Sequence, residues 1–130
     1  MKKTKRAKLI DEADELFQAV GIAMKPKSTV SGKPTEVIHH FIPKSQSNNL
    51  RYDLKNGVPL TNGEHTRHHR GGDPEIAATI IKNMGNKWYD DLQARRRIFC
   101  KLNIGYLEGV IINLESKLKR GEWNGEIHRI

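Results

Sequence analysis

The sequence has one cysteine and no long apolar run, and each scarcity excludes a class of protein. Cys100 alone can form neither an internal disulfide nor a Cys-x-x-Cys zinc knuckle, which favours a reducing cytosol. No stretch approaches the ~20 apolar residues of a membrane span. The basic residues 2–8 are followed by acidic side chains rather than by an apolar segment, so we expect no signal peptide. The sequence therefore predicts a cytoplasmic protein that does not enter membranes.

Acidic residues are also in the minority. Lys and Arg total 23, Asp and Glu total 15, and the 130 residues carry a formal net charge of +8. Phosphates attract lysine and arginine whatever the sequence, and counterion release supplies much of the affinity. Ribosomal, chromatin and membrane-surface proteins share this balance. The charge thus indicates a polyanionic partner but does not indicate a reaction.

The length predicts one domain, and the patterning predicts an α+β fold that is mostly helical. Residues 2–8 are expected to form a solvated basic arm. In residues 11–24 apolar side chains recur near helical spacing, with Asp11 as the N-cap, and Gly21 is expected to end or fray the helix. Residues 25–34, rich in Pro, Ser and Gly, are expected to be a linker. The chain is accordingly divided into an N-terminal part (1–34), a central unit (35–72) and a C-terminal helical extension (73–130).

Five of the six histidines lie between residues 37 and 71, in two groups. His65 and His69 stand four residues apart, so on a helix they project from one face. Two such imidazoles can share one cation, and His39 would complete three protein ligands. His40 points to the other face if the segment is extended, and so stays available as a base. This division of roles favours hydrolysis at a metal site.

This spacing resembles the HNH, or ββα-metal, nuclease family. His39 and His40 match its opening pair, Asn56 its central Asn, and His65 and His69 its closing helix. The resemblance covers about a quarter of the chain.

The family implies a small ββα-metal core with helices added at both ends, and hydrolysis of DNA phosphodiester bonds. His39, His65 and His69 would hold one divalent cation, which could be Mg, Mn, Ni or Zn. His40 would take a proton from the attacking water, and Asn56 would brace the loop and help to orient His40. As an alternative, Asn56 could be only a turn residue, since Asn-Gly is a favoured turn dipeptide.

The elements expected around these residues are two short strands, 35–40 and 58–60, and a helix over 62–70. Thr61 and Glu64 form a capping-box pattern at the start of that helix. Many relatives carry cysteines at these two positions for a structural zinc, so we expect no structural zinc here. Candidate contacts to DNA are Lys44, Arg51, Arg67, His68 and Arg70; for Lys44, Arg51 and His68 the alternative is simple exposure to solvent.

The C-terminal part is expected to be helical. Asp73-Pro74 is a strong helix start, and a second helix opens at Asn86 with an apolar side that includes Ile98. Arg95, Arg96 and Arg97 form either a solvated face or a second DNA contact. A third helix from Asn103 carries an apolar stripe that fits the domain's own core or a homodimer; the stripe comprises Ile104, Leu107, Ile111, Leu114 and Leu118.

A second resemblance concerns the phage recombination nucleases of the NinG (Rap) type. It rests on Leu50-Arg51-Tyr52-Asp53-x-x-Asn56 and on Trp88-Tyr89-Asp-Asp-Leu92-Gln-Ala-Arg95. Those proteins have cysteines at the positions of Thr61 and Glu64 and an Asn in place of His65. The similarity implies a phage or prophage origin, the host cytoplasm, branched or single-stranded DNA, and a part in recombination, processing or packaging.

Two other functions fit the same residues. The chain could be a non-catalytic DNA-binding protein that keeps the HNH fold. It could also be a zinc-stabilised module that binds nucleic acid or protein, with His128 or Asp53 as a fourth ligand. Chelation would unfold the zinc module but would first remove activity from an open catalytic site.

Overall fold

A computed structural model describes residues 2–71 and 73–120, without the side chains of 69–71 and 120. The described part is α+β and mostly helical, which confirms the predicted class at that level. Its elements are α1 (Lys5–Met24), β1 (Val37–His40), a 3₁₀ helix (Leu54–Asn56), β2 (Gly57–Leu60), α2 (Asn62–Gly71), α3 (Pro74–Met84), α4 (Asn86–Arg95) and α5 (Ile104–Arg120). Across residues 2–71 and 73–120, no helix has both the length and the apolar character that a membrane crossing requires.

Helix α1 begins earlier than the sequence patterning predicts. Its N-cap is Thr4, whose hydroxyl accepts a hydrogen bond from the Ala7 amide, so the prediction of Asp11 as the cap was wrong. Four of the residues assigned to the basic arm, 5–8, are helical, because lysine, arginine and alanine are good helix formers. Gly21 does not end the helix either. It is buried, and a Cβ there would lie 2.6 Å from Ile38 Cγ1, so glycine lets α1 approach β1 closely.

Strands β1 and β2 form a two-stranded antiparallel sheet, with Ile38 opposite Pro59 and His40 opposite Gly57. Pro59 has no N–H to donate. The Ile38 amide and carbonyl point away from β2 and bond to the side-chain amide of Gln18 on α1, at 2.8 Å each. A sheet of two strands is marginal alone, and α1 supplies both a hydrogen-bonding partner and an apolar face for it.

The segment assigned as a linker, residues 25–34, is packed onto the sheet and α2. Lys27 and Pro34 form an isolated bridge, and the Thr29 amide donates to the Pro59 carbonyl at 2.9 Å. Ser28 is buried and donates to Glu64 of α2. The segment is therefore a structured turn that joins α1, β2 and α2, and the linker assignment was wrong.

The main core lies between α1, α5 and β1. In α5 the middle of the predicted stripe, Leu107, Ile111 and Leu114, is buried there, so this part of the stripe fills the chain's own core. Helix α4 ends at Arg95, and Ile98 is 55% exposed, so its assignment to the apolar side of that helix was wrong. The remaining members of the main cluster are Ala13, Phe17, Val20, Ile38, Tyr52 and Leu102.

Two smaller clusters pack α3 and α4 against the other side of the sheet and the loop. One contains Val58 and Leu60 of β2 with Ile76 and Ile80 of α3; the other contains Ile42, Leu50 and Leu92. The predicted start of α3 is confirmed, since the Asp73 side chain accepts from the Glu75 amide and Pro74 occupies the first turn.

Candidate functional site

Helix α2 is anchored by the predicted capping box, which the structure confirms. The Thr61 hydroxyl accepts from the Glu64 amide at 3.2 Å, and Glu64 Oε1 accepts from the Thr61 amide at 2.9 Å. The hydroxyl of Ser28 donates to the same carboxylate oxygen. Burial acts to raise the pKa of Glu64, but the hydrogen bonds from Ser28, Ser31 and Thr61 lower it below its ordinary value. The ionised Glu64 therefore fixes where α2 starts relative to β2.

The side chain of His39 points at α2. His39 is 4% exposed, and its ring centre lies 5.1 Å from that of His65 and 4.8 Å from that of His68. The sequence analysis assigns His68 to DNA contact and not to the metal, whereas in the structure the His68 ring lies against His39. His69 and Arg70 belong to α2, but their side chains lie outside the described residues.

The spacing of these rings fits a shared cation. A metal bonded at roughly 2.0–2.1 Å to one nitrogen of each of two imidazoles holds the ring centres roughly 4.5–5.2 Å apart. Both pairs that include His39 fall in that range. Within the described side chains, no three His, Cys, Asp or Glu residues form a complete metal-binding group. The described residues thus supply two ring pairs at a spacing that suits a shared cation, both of which include His39.

His40 projects from the opposite face of β1 and is held on two sides. Its ring stacks on Phe17 of α1, with centres 4.6 Å apart and planes inclined by 17°. Its Nε2 lies 2.9 Å from the carbonyl oxygen of Arg51. A carbonyl only accepts hydrogen bonds, so Nε2 carries the proton and Nδ1 holds the lone pair. Burial lowers the pKa of His40 to about 4, and the ring is therefore neutral at neutral pH.

Arg51 holds His40 through its backbone, while its side chain is engaged within the fold. The guanidinium donates to both carboxylate oxygens of Asp14 on α1, at 3.2 and 2.8 Å. The pair is largely shielded from solvent, and an arginine bonded in this way has fewer N–H donors left to bind a phosphate. We therefore assign Arg51 and Asp14 to the positioning of His40. The sequence pattern did not single out Asp14, because Glu12 and Glu15 beside it carry the same charge.

Asn56 ties the two ends of the long loop together. Its side chain is fully buried; Oδ1 accepts from the Ile42 amide at 2.8 Å, and Nδ2 donates to the carbonyls of Ile42 and Leu50 at 3.0 and 3.3 Å. Gly57 has a φ of −89°, so the Asn-Gly pair does not form the left-handed type of turn that the dipeptide favours. Glycine is needed at 57 for space, since a Cβ would lie 2.6 Å from Ile38 Cγ2.

Side chains from both faces of β1 line one open cleft of about 580 Å³. His39, His40 and His65 line it together with Lys44 and Arg51, so the predicted base, two predicted ligands and two predicted phosphate contacts border the same cleft. Gln18 and Ser45 complete its polar lining.

Three other candidate residues lie elsewhere or are already engaged. Arg67 is exposed and pairs with Asp73 at 2.8 Å. Asp53, the alternative zinc ligand, pairs with Arg95 and caps the 3₁₀ helix. His128 lies outside the described residues.

Searches for similar proteins among protein-family models, curated proteins and solved structures find no match. The assignment of function therefore depends on the chemistry of the residues and on their arrangement.

Proposed function

We propose that this chain is a metal-dependent endonuclease of the HNH type that hydrolyses phosphodiester bonds of DNA, encoded by a phage or prophage and used in recombination, processing or packaging of DNA. One observation carries the proposal: the side chains of two adjacent histidines project from opposite faces of β1. His39 lies against the histidines of α2, and His40 is held neutral beside the same cleft.

His40 has the properties of a general base. The carbonyl of Arg51 holds the proton on Nε2, which leaves the lone pair on Nδ1 to accept a proton from water. Phe17 stacks on one side of the ring, and the Asp14–Arg51 pair holds the residue whose carbonyl bonds to Nε2. Asn56 acts one step further away, because it closes the loop that carries Arg51.

His39 and His65 would hold the divalent cation, together with a third imidazole from α2. The sequence pattern favours His69 as the third ligand, whereas the position of the His68 ring makes His68 an equal candidate. When bound, the cation supplies positive charge beside the scissile phosphate and the leaving oxygen. Lys44 at the rim of the cleft and the surplus of eight positive charges favour a polyanionic substrate.

The test is cleavage of supercoiled plasmid by metal-stripped protein, with Mg²⁺, Mn²⁺, Ni²⁺ or Zn²⁺ added in turn. We expect nicking with at least one metal, and loss of at least about 100-fold in rate for His40→Ala while DNA binding survives. Asp14→Asn should slow cutting less, because it removes only a charge that supports Arg51. Lys44→Ala should slow cutting because it removes a positive charge at the cleft; Lys87→Ala, which removes an exposed lysine of α4, is its matched control and should cut at the wild-type rate.

Metal affinity separates the two candidates for the third ligand. His39→Ala and His65→Ala should each weaken binding of one metal equivalent in calorimetry, and only one of His68→Ala and His69→Ala should do so. If no metal supports cutting, yet the protein binds DNA and one tight zinc, catalysis is refuted and the fold is a binding module.

A further inference from the structure

A phenylalanine projects into solvent among arginines after α4. Phe99 is 87% exposed and follows Arg96 and Arg97 in the chain. Together with Gln46 and Asn48 of the long loop, these residues line a groove of about 430 Å³, here called the Phe99 patch. Single exposed apolar residues are common on protein surfaces, so the exposure of Phe99 needs support from its surroundings before it indicates a site.

The backbone that carries Phe99 is held in place by hydrogen bonds on both sides. Asn49 donates to the carbonyl of Arg95 at 3.0 Å, and Asn48 donates to the carbonyl of Cys100 at 3.2 Å. The Ile98 amide donates to the Arg95 carbonyl at 3.1 Å. The chain is thus fixed immediately before and after Phe99, and its ring is directed outward by an ordered backbone.

The arginines of the patch differ from the one that precedes them. Arg95 is neutralised by Asp53 and Asp91. Arg96 donates to the neutral amides of Gln93 and Gln46, and in the described part of the chain no carboxylate pairs with Arg96 or Arg97. Two uncompensated positive charges therefore flank an exposed aromatic face.

A nucleotide segment without a paired strand has a binding group for each part of this patch. Phosphates complement the two arginines, and a base that is not paired presents a flat face to Phe99. The bases of an intact duplex are stacked on each other, so a duplex would engage the charges but not the ring. An acidic peptide would likewise satisfy the arginines and leave the ring without a stacking partner.

We propose that the Phe99 patch binds single-stranded DNA, with one base stacked on Phe99 and the flanking phosphates on Arg96 and Arg97. The choice of DNA over RNA rests on the proposed nuclease function, whereas the stacking does not. The loop connects the patch to the cleft, since Ser45 lines the cleft and Gln46, the next residue, lines the patch. On this proposal the patch selects DNA that has an unpaired segment near the cutting position.

The test is binding of a fluorescently labelled thymidine 20-mer, compared with a duplex of the same length, in EDTA so that no cutting occurs. Stacking of one base predicts that Phe99→Ala weakens single-strand binding about 5- to 150-fold and duplex binding less than about 2-fold. Phe99→Trp should restore single-strand binding. Ile112→Ala, which removes another exposed apolar side chain on α5, is the matched control and should bind as wild type does.

Three results would overturn the proposal. In the first, Phe99→Ala leaves single-strand binding unchanged, or weakens both DNA forms equally. In the second, polyglutamate of equal charge competes as well as unlabelled thymidine oligomer, which would mean that only charge is read. In the third, sedimentation shows a wild-type dimer that Phe99→Ala dissociates, which would make the patch a contact between copies of the chain.

The outcome is distinguishable from failure of the nuclease itself. If binding depends on Phe99 but no metal supports cutting, the proposed binding site is confirmed and the proposed nuclease activity is refuted. If the protein nicks plasmid with metal but Phe99→Ala binds the single strand normally, the nuclease stands and the patch falls.

Discussion

Replacing Asn56 with alanine should destabilise the protein by about 3 kcal/mol. The side chain is fully buried and makes three hydrogen bonds to the loop. The Leu50 carbonyl would keep a second partner, the Asp53 amide at 3.2 Å. The amide and carbonyl of Ile42 would each lose the bond to Asn56 in a buried position, and a buried unpaired group costs about 1–3 kcal/mol. Because domains of this size are stable by about 5–15 kcal/mol, the loss is large but leaves the chain folded.

The measurement is urea unfolding followed by circular dichroism, with the midpoint and the slope compared between variants. Asn49→Ala is the matched control, because Asn49 lies in the same loop but donates a single, partly exposed hydrogen bond to Arg95. The control should lose less than about 1 kcal/mol. If the two variants lose the same amount, or if Asn56→Ala loses less than about 1 kcal/mol, Asn56 does not hold the loop together and its indirect role in placing His40 is refuted.

Three further predictions concern the space and charge around the sheet. Gly57→Ala should cost roughly 1–3 kcal/mol in urea unfolding, because the new Cβ would lie 2.6 Å from Ile38 Cγ2; an unchanged midpoint would show that the contact relaxes freely. Gly63→Ala, where the nearest side-chain atom is 3.9 Å away on a helix, should instead stabilise by about 0.4–1 kcal/mol, and a loss would contradict the assignment of open space. Burial lowers the pKa of Lys25 to about 8 from 10.5, so between these pH values the unfolded chain binds a proton that the folded chain does not, and stability should rise with pH. The rise is at most about 3 kcal/mol, and Lys25→Met should abolish it in unfolding measured at pH 7.5 and pH 10; a rise that persists in the variant would assign it to other groups.

The sequence by itself determined the elements whose signals are local. Thr61 and Glu64 are three residues apart and cap α2 as their pattern predicts, and Asp73 with Pro74 starts α3. Such signals work because the interacting groups lie within one helical turn, where chain connectivity brings them together. The start of α1 was predicted wrongly. Asp11 was assigned as its cap, but the basic residues 5–8 before it are good helix formers and extend the helix back to Thr4.

The histidines illustrate how far spacing can be taken. Alternation along a strand is enough to place His39 and His40 on opposite faces of β1. Spacing along α2 favours His65 and His69 as the residues that meet His39 and sets His68 aside, whereas the structure brings the His68 ring against His39. That choice depends on the direction in which β1 approaches the helix, and the hydrogen bond from Ser28, in the segment before β1, to Glu64 of α2 helps to set it.

Only the tertiary structure decided what surrounds His40. Phe17 stacks on its ring, and Asp14 holds Arg51 across 37 residues of sequence. Gln18 completes the outer edge of β1 across 20 residues. In the sequence, Phe17 reads as one more apolar helix position, and Asp14 and Gln18 read as exposed polar ones. They reach the site because α1 docks with that face against the sheet, and docking is a property of packed surfaces that no local pattern specifies.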